Sequence, residues 1–215
     1  MRFLCVSDIH GHAAALRAVI EEGKARDFSQ MIACGDLLFP GPDPLETWKI
    51  LVEQRAVCVQ GLVDRAIATI DPTRIRAATE EQRVRIAHLI RVRQELGELI
   101  VARLGKLAPT ARLPLESGDE LVAVHGSPAD PSEPFTADMT DQEMLALIGD
   151  DPADIIVCGG SHVPFHRQID GVHIINVGSV GEAPGGNVAH GTLLDAGRFG
   201  VTLDQFEVEL PEAIR

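Results

Sequence analysis

The stretch Phe3-Leu-Cys-Val-Ser-Asp-Ile-His-Gly11, FLCVSDIHG, begins as a buried strand should and then changes character. Apolar residues give way to Asp8 and His10, two positions apart, with Gly11 behind them. In an extended chain residues i and i+2 face the same side, so a carboxylate and an imidazole are aimed at one spot. Polar groups of that kind are costly to bury unless they are paired or hold a metal. The strand end reads as a rigid mount for something.

Outward from this stretch, strand and helix alternate. Strand-like runs occupy Phe3–Val6, Met31–Cys34 and Ala56–Val59. Between the first two, His12–Arg26 carries Leu16, Val19 and Ile20 at helical spacing. Pro44–Gln54 reads as a second helix, with Pro44 suited to its first turn. This alternation predicts an α/β fold with parallel strands. Glu80–Leu104 follows as a long helix whose stripe is Ile86, Leu89, Ile90, Leu96, Leu99, Ile100 and Leu104. The second half leans towards β. ARLPLE and ELVAVHG form a hairpin across Ser117-Gly-Asp, a short helix covers Asp141–Ile148, and the apolar run Asp154–Cys158 follows. VHIINVG, GTLLDA and FGVTLDQFEVEL close the chain, the last two joined at a Gly197-Arg198 turn. With no repeat or linker, residues 1–215 are expected to form a single domain.

Composition narrows the chemistry. With 215 residues, 45% of them hydrophobic, the chain supports one sizeable core. Its 32 acidic and 19 basic residues give a net charge of −13, which has no general attraction for nucleic acid or anionic membranes. Cys5, Cys34, Cys58 and Cys158 are scattered through apolar runs and read as buried thiols, not a disulfide framework. No run is long enough to span a bilayer and no signal peptide is evident, so a cytoplasmic location is expected.

The polar residues collect at strand ends. Asp8 and His10 close the first strand; Asp36 follows the second in MIACGD, and Asp64 the third in VCVQGLVD. His125 closes LVAVHG, and Ser161-His162 follows IIVCGG. Loops beyond the carboxyl ends of strands in α/β sheets gather into one crevice. Singly, each residue has a plainer reading: Asp36 as a turn former, Asp64 as the N-cap of RAIATI, and a histidine before glycine as a satisfied loop residue. His88, His166, His173 and His190 receive only that last reading, and Gly178–Gly186 reads as a flexible turn. Together, imidazoles and carboxylates without thiolate suit Mn, Fe, Zn or Ni.

In these residues the chain resembles the calcineurin-like metallophosphoesterase family. The blocks SDIHG, CGDLL, QGLVD, VHGSP and GGSHVPF fall in the family's order, and INVGSVG looks like its Asn-x-Gly-Ser segment. The resemblance implies a four-layer α/β/β/α sandwich with a dinuclear site. It implies one metal on Asp8, His10, Asp36 and His162, with Asp36 bridging to a second metal that His125 shares. It also puts Leu62 and Gly160 where that second metal expects asparagine and histidine, and Val63 where a histidine can serve the leaving group. One tight divalent ion is therefore expected, with a second weak or absent unless Asp43 or Asp64 rebuilds its site. Asp64, His12 and Ser161 are expected beside the ligands or the substrate; His12, at a helix start, either adds positive charge towards a phosphate or is simply exposed. A helical insertion at about 70–107 is expected to help select the substrate. The implied activity is hydrolysis of a small phosphodiester or phosphomonoester by a metal-activated water. The alternative is a catalytically degenerate phosphate- or nucleotide-binding regulatory protein of the same fold.

Overall fold

A computed structural model describes residues 1–150, 153–197 and 200–211. In chain order its first half runs β1 (Arg2–Val6), α1 (Ala13–Ala25), β2 (Gln30–Ala33), α2 (Pro44–Glu53), β3 (Val57–Cys58) and α3 (Leu62–Thr69). A 3₁₀ turn (Pro72–Arg74) leads into α4 (Glu80–Leu104). The second half runs β4 (Thr110–Pro114), β5 (Glu120–Val124), α5 (Asp141–Ile148), β6 (Ile155–Cys158), β7 (Phe165–Ile169), β8 (Val172–Asn176), β9 (Val188–Gly197) and β10 (Gly200–Glu209).

The strands form two mixed five-stranded sheets, ordered β10-β9-β1-β2-β3 and β4-β5-β6-β8-β7. β1, β2 and β3 run parallel, as do β5, β6 and β8, and these central strands set the direction in which the strand ends point. The antiparallel strands β9 and β10 extend the first sheet, while β4 and β7 lie at the edges of the second.

Side-chain alternation explains the layering. On β1, Leu4 and Val6 pack towards α1, whereas Phe3 and Cys5 face the other sheet. On β6, Ile155 and Val157 meet them from the opposite side, while Ile156 and Cys158 turn to Met144 and Ile148 of α5. A strand covered on both faces needs a continuous apolar run, which is what FLCV and IIVC supply. The result is the expected four-layer α/β/β/α sandwich.

Several local expectations are corrected. Asp64 is not an N-cap: α3 starts at Leu62, and Asp64 is its third residue, accepting the Gly61 N–H. α4 carries a break at Gly97, whose φ of +73° rotates the following turns and leaves Leu99 70% exposed. Val92 and Val101 are buried instead. β7 went unanticipated because PFHRQID alternates apolar and polar too weakly to stand out. The expected Gly197-Arg198 turn lies outside the described residues at Arg198. Among the described residues, no helix is long and apolar enough to cross a membrane.

Candidate metal centre

The loops after β1, β2, β5 and β6 meet at one end of the two sheets. The first two are laced by backbone hydrogen bonds from Asp8 N–H to Gly35 O and from His10 N–H to Asp36 O. Asp8, His10, Asp36 and His162 have φ of +50°, +51°, +51° and +61°. Such values are uncommon outside glycine, and Asp and His are among the side chains that tolerate them best. The strain persists because neighbouring loops hold each residue in place.

Two glycines permit this crowding. A Cβ on Gly61 would fall 2.2 Å from both the backbone nitrogen and Oδ1 of Asp36. One on Gly159 would fall 1.9 Å from Ser7 Oγ and 2.5 Å from Asp8 Oδ2.

The ligand-type atoms form two groups sharing Asp8. Asp8, His10 and His162 make one; Asp8, Asp36 and His125 make the other, with the chosen atoms of each group within 4.8 Å of one another. Asp8, rather than Asp36, is the residue common to both. The remaining valences are tied off. Asp8 Oδ2 accepts the Gly160 N–H at 2.9 Å, and Asp36 Oδ1 accepts the Val63 N–H at 2.8 Å at the start of α3. Asp8 Oδ1 is buried and accepts no hydrogen bond among the described residues.

The histidines are oriented in one common way. Nδ1 of His10 meets Phe39 O at 2.7 Å, Nδ1 of His125 meets Cys34 O at 2.9 Å, and Nδ1 of His162 meets Glu182 O at 3.1 Å. A carbonyl can only accept, so each Nδ1 carries the proton and each Nε2 points inward. Backbone partners of this kind fix metal-binding imidazoles. Nε2 of His10 lies 3.4 Å from Nε2 of His162, and that of His125 lies 3.4 Å from Asp36 Oδ2. Two inward-facing nitrogens at that separation need a cation or a proton between them.

The electrostatics agree. Burial opposes charging the His125 ring, yet Asp36 and then Asp8 lift its pKa to about 9. His162 is raised chiefly by its contact with Asp8. For Asp8, burial pulls upward, but His162, His125 and the Gly160 N–H outweigh it and hold the carboxyl below its usual range. Burial, with the charge of Asp36 adding to it, pushes Asp64 up to about 7. In the metal-free protein protons sit where a cation would.

The sequence itself supplies the remaining evidence. A model of the calcineurin-like phosphoesterase superfamily domain matches residues 1–197. The chain belongs to that superfamily. No curated protein sequence matches it. Three solved structures show the same fold. A hypothetical protein, PH1004, from Pyrococcus horikoshii OT3 is 19% identical with a TM-score of 0.81, covering 99% of this chain and 90% of that one. A metallophosphoesterase from Sphaerobacter thermophilus is 21% identical with a TM-score of 0.75, covering 100% and 97%. Wild-type Vps29 from Entamoeba histolytica, in complex with Zn²⁺, is 16% identical with a TM-score of 0.54, covering 97% and 99%.

The superfamily binds divalent metals, and the inward Nε2 atoms, the buried Asp8 oxygen beside them and the thiolate-free donor set fit such an ion. Asp8, His10, Asp36, His125 and His162 lie together at the strand ends. The supporting residues behave differently. His12 is half-buried, so it is not an exposed helix start, and burial lowers its pKa, which argues against a standing positive charge. Ser161 Oγ accepts a hydrogen bond from Asn176 Nδ2 at 2.9 Å, bracing the His162 loop. Asp43 is exposed, and Asp64 is committed to the N–H groups of Leu37 and Gly61; neither joins a ligand group.

Sequence reasoning missed three residues. Ser179 Oγ donates to Asp8 O and accepts from Glu182 N–H. Buried His190 accepts the Ser179 N–H on its Nδ1. Glu182, besides holding His162, places Oε2 3.5 Å from His10 Nε2 at the mouth of the site. GSVGEAPGG is therefore a brace and not merely a flexible turn. The Ser-x-x-Glu spacing was its only signal.

Proposed function

We propose that this chain is a metal-dependent phosphoesterase acting on a small phosphodiester or phosphomonoester. The observation that carries the reading is the pair of Nε2 atoms of His10 and His162, 3.4 Å apart, both turned to buried Asp8 Oδ1, which lies 3.1 Å from His162 Nε2. Asp8, His10 and His162, with Asp36 alongside, would hold one divalent ion tightly. The second group, Asp8, Asp36 and His125, would hold another ion more weakly, since Leu62 and Gly160 add no donor to it. A bound ion supplies charge for a phosphoryl oxygen and lowers the pKa of water.

The chain's own residues do the rest. The Gly160 and Val63 N–H groups fix the rotamers of Asp8 and Asp36, and three backbone carbonyls hold the imidazoles in their donor-inward tautomer. His125 gives up its proton as the site fills. Val63 supplies no proton for a leaving group, so the leaving oxygen must take one from water or depart as an anion.

The apolar side chains at Leu62 and Val63 favour a second reading, a binding protein that retains the metal. Turnover separates the two. We expect hydrolysis of bis(4-nitrophenyl) phosphate with added Mn²⁺, abolished by chelator and by His162→Ala. Tight phosphate binding with no turnover under any of the four metals would favour the second reading.

A further inference from the structure

A groove of about 560 Å³ lies between α3 and the first half of α4. Its walls are apolar, formed chiefly by Phe39, Leu62, Val63, Ile70, Ile75 and Ile86. Leu62 is 47% exposed and Ile75 43% exposed. Two guanidinium groups, Arg76 and Arg85, stand at its side. Neither makes a hydrogen bond or ion pair among the described residues, in a chain of net charge −13.

We propose that this groove seats the ester arm of the substrate, and that the substrate class is a phosphoester of an apolar, acidic alcohol such as an aryl phosphate. The proposal rests on the phosphoesterase reading and extends it to the substrate.

Continuity is the first argument. Val63 donates its N–H to Asp36 and Phe39 gives its carbonyl to His10, while the same two residues line the groove. The groove therefore begins at the scaffold of the metal centre. A phosphoester bound there has one arm within reach of it.

Chemistry is the second. No Asp, Glu, His, Lys, Tyr or Cys lines the groove, so an alcohol leaving into it finds no side-chain acid. Hydrolysis forms a bond from the water oxygen to phosphorus and breaks the bond from phosphorus to the arm. The electron pair departs on the arm's oxygen, and the proton of the water passes to solvent. Without a proton donor this favours an oxygen that is stable as an anion. Charge is the third argument. Arg85 and Arg76 are the free cations on this wall, and arginine pairs well with oxyanions while stacking on aromatic faces.

The test is binding first and turnover second. Protein labelled at isoleucine methyls is titrated with phenylphosphonate and with methylphosphonate, neither of which is hydrolysed. Phenylphosphonate is expected to move the Ile70, Ile75 and Ile86 signals and to bind about tenfold or more tighter, as burial of a ring implies. Ile75→Ser, at an exposed position, should remove that advantage and leave methylphosphonate binding unchanged. Equal affinity for the two probes, or shifts confined to other isoleucines, overturns the groove assignment. Turnover that shows no preference for aryl over alkyl esters overturns it too, while the phosphoesterase reading stands. Groove binding of phenylphosphonate with no turnover of any ester supports the groove and removes the catalytic reading.

Discussion

Nε2 of His162 lies 3.1 Å from Oδ1 of Asp8, an oxygen with no hydrogen bond of its own, although the two residues come from opposite sheets. The contact joins the loop after β1 to the loop after β6. Removing His162 leaves the buried Asp8 carboxylate short of a compensating charge. His162→Ala is expected to weaken the tight ion by more than the ~10–100-fold typical of losing a supporting partner. Competition against a chromophoric chelator measures this; an unchanged affinity would remove His162 from the ligand set.

The second position can be rebuilt. Leu62→Asn with Gly160→His should add a second ion and raise hydrolysis of an aryl phosphodiester, because charge stabilisation in the transition state increases. Position 160 is well placed: a Cβ there lies 3.7 Å from His125 Nε2, with Pro134 Cβ at 3.0 Å. Its φ of +76° is unfavourable for a side chain, so the variant should lose about 1–2 kcal/mol of stability. Calorimetric titration with Mn²⁺ reads the second ion, and a folded double variant that still binds only one would show that the missing donors are not the cause.

Stability should depend on pH in a metal-reversible way. Asp64, raised to about 7 by burial and Asp36, keeps its proton in the folded protein where the unfolded chain has released it. At this group the native state binds more protons between about pH 4 and 7, so the Asp64 contribution to stability falls as pH rises through that window. His125, raised to about 9, continues the decline from about pH 6.5 to 9. Urea unfolding of metal-free protein should show both contributions, and the metal should flatten the upper one by replacing the His125 proton. Asp64→Asn should remove the lower part but leave the Gly61 or Leu37 N–H without an acceptor, at about 1–3 kcal/mol. An identical pH slope in Asp64→Asn and the parent protein would contradict the assignment.

The glycines at the site are sterically required. Gly61→Ala and Gly159→Ala each place a Cβ inside the contact distance of Asp36 or Asp8. Each is expected to cost about 1–3 kcal/mol, as overpacking does, and to weaken metal binding in parallel. Gly197→Ala is the control for crowding, since its Cβ would meet nothing closer than 3.6 Å. Thermal melts with and without metal compare the three.

The sandwich and the ligand cluster were legible because both are written in short-range pattern. Apolar runs such as FLCV and IIVC identify strands covered on two faces, and the Asp and His that end such runs identify the crevice. The partners of those residues were not legible. Phe39, Cys34 and Glu182 act through backbone carbonyls, which no residue type announces. Gly97 turns α4 through its backbone conformation, so Leu99 falls off a stripe that Ile100 and Leu104 still follow. His12 looked like a helix-start charge because burial by Gly41 and Gly181 comes from distant loops. The groove beside the site was hidden for a related reason: Leu62 and Val63 read as apolar filling until α4 supplied the opposite wall.

Metal content per chain tests the central claim most directly. Protein purified without chelator and dialysed against metal-free buffer should retain close to one divalent ion per chain by elemental analysis, and His162→Ala should retain none. Protein that retains no ion, and binds none on addition of Mn²⁺, Fe²⁺, Zn²⁺ or Ni²⁺, would contradict it; so would two ions held with equal strength.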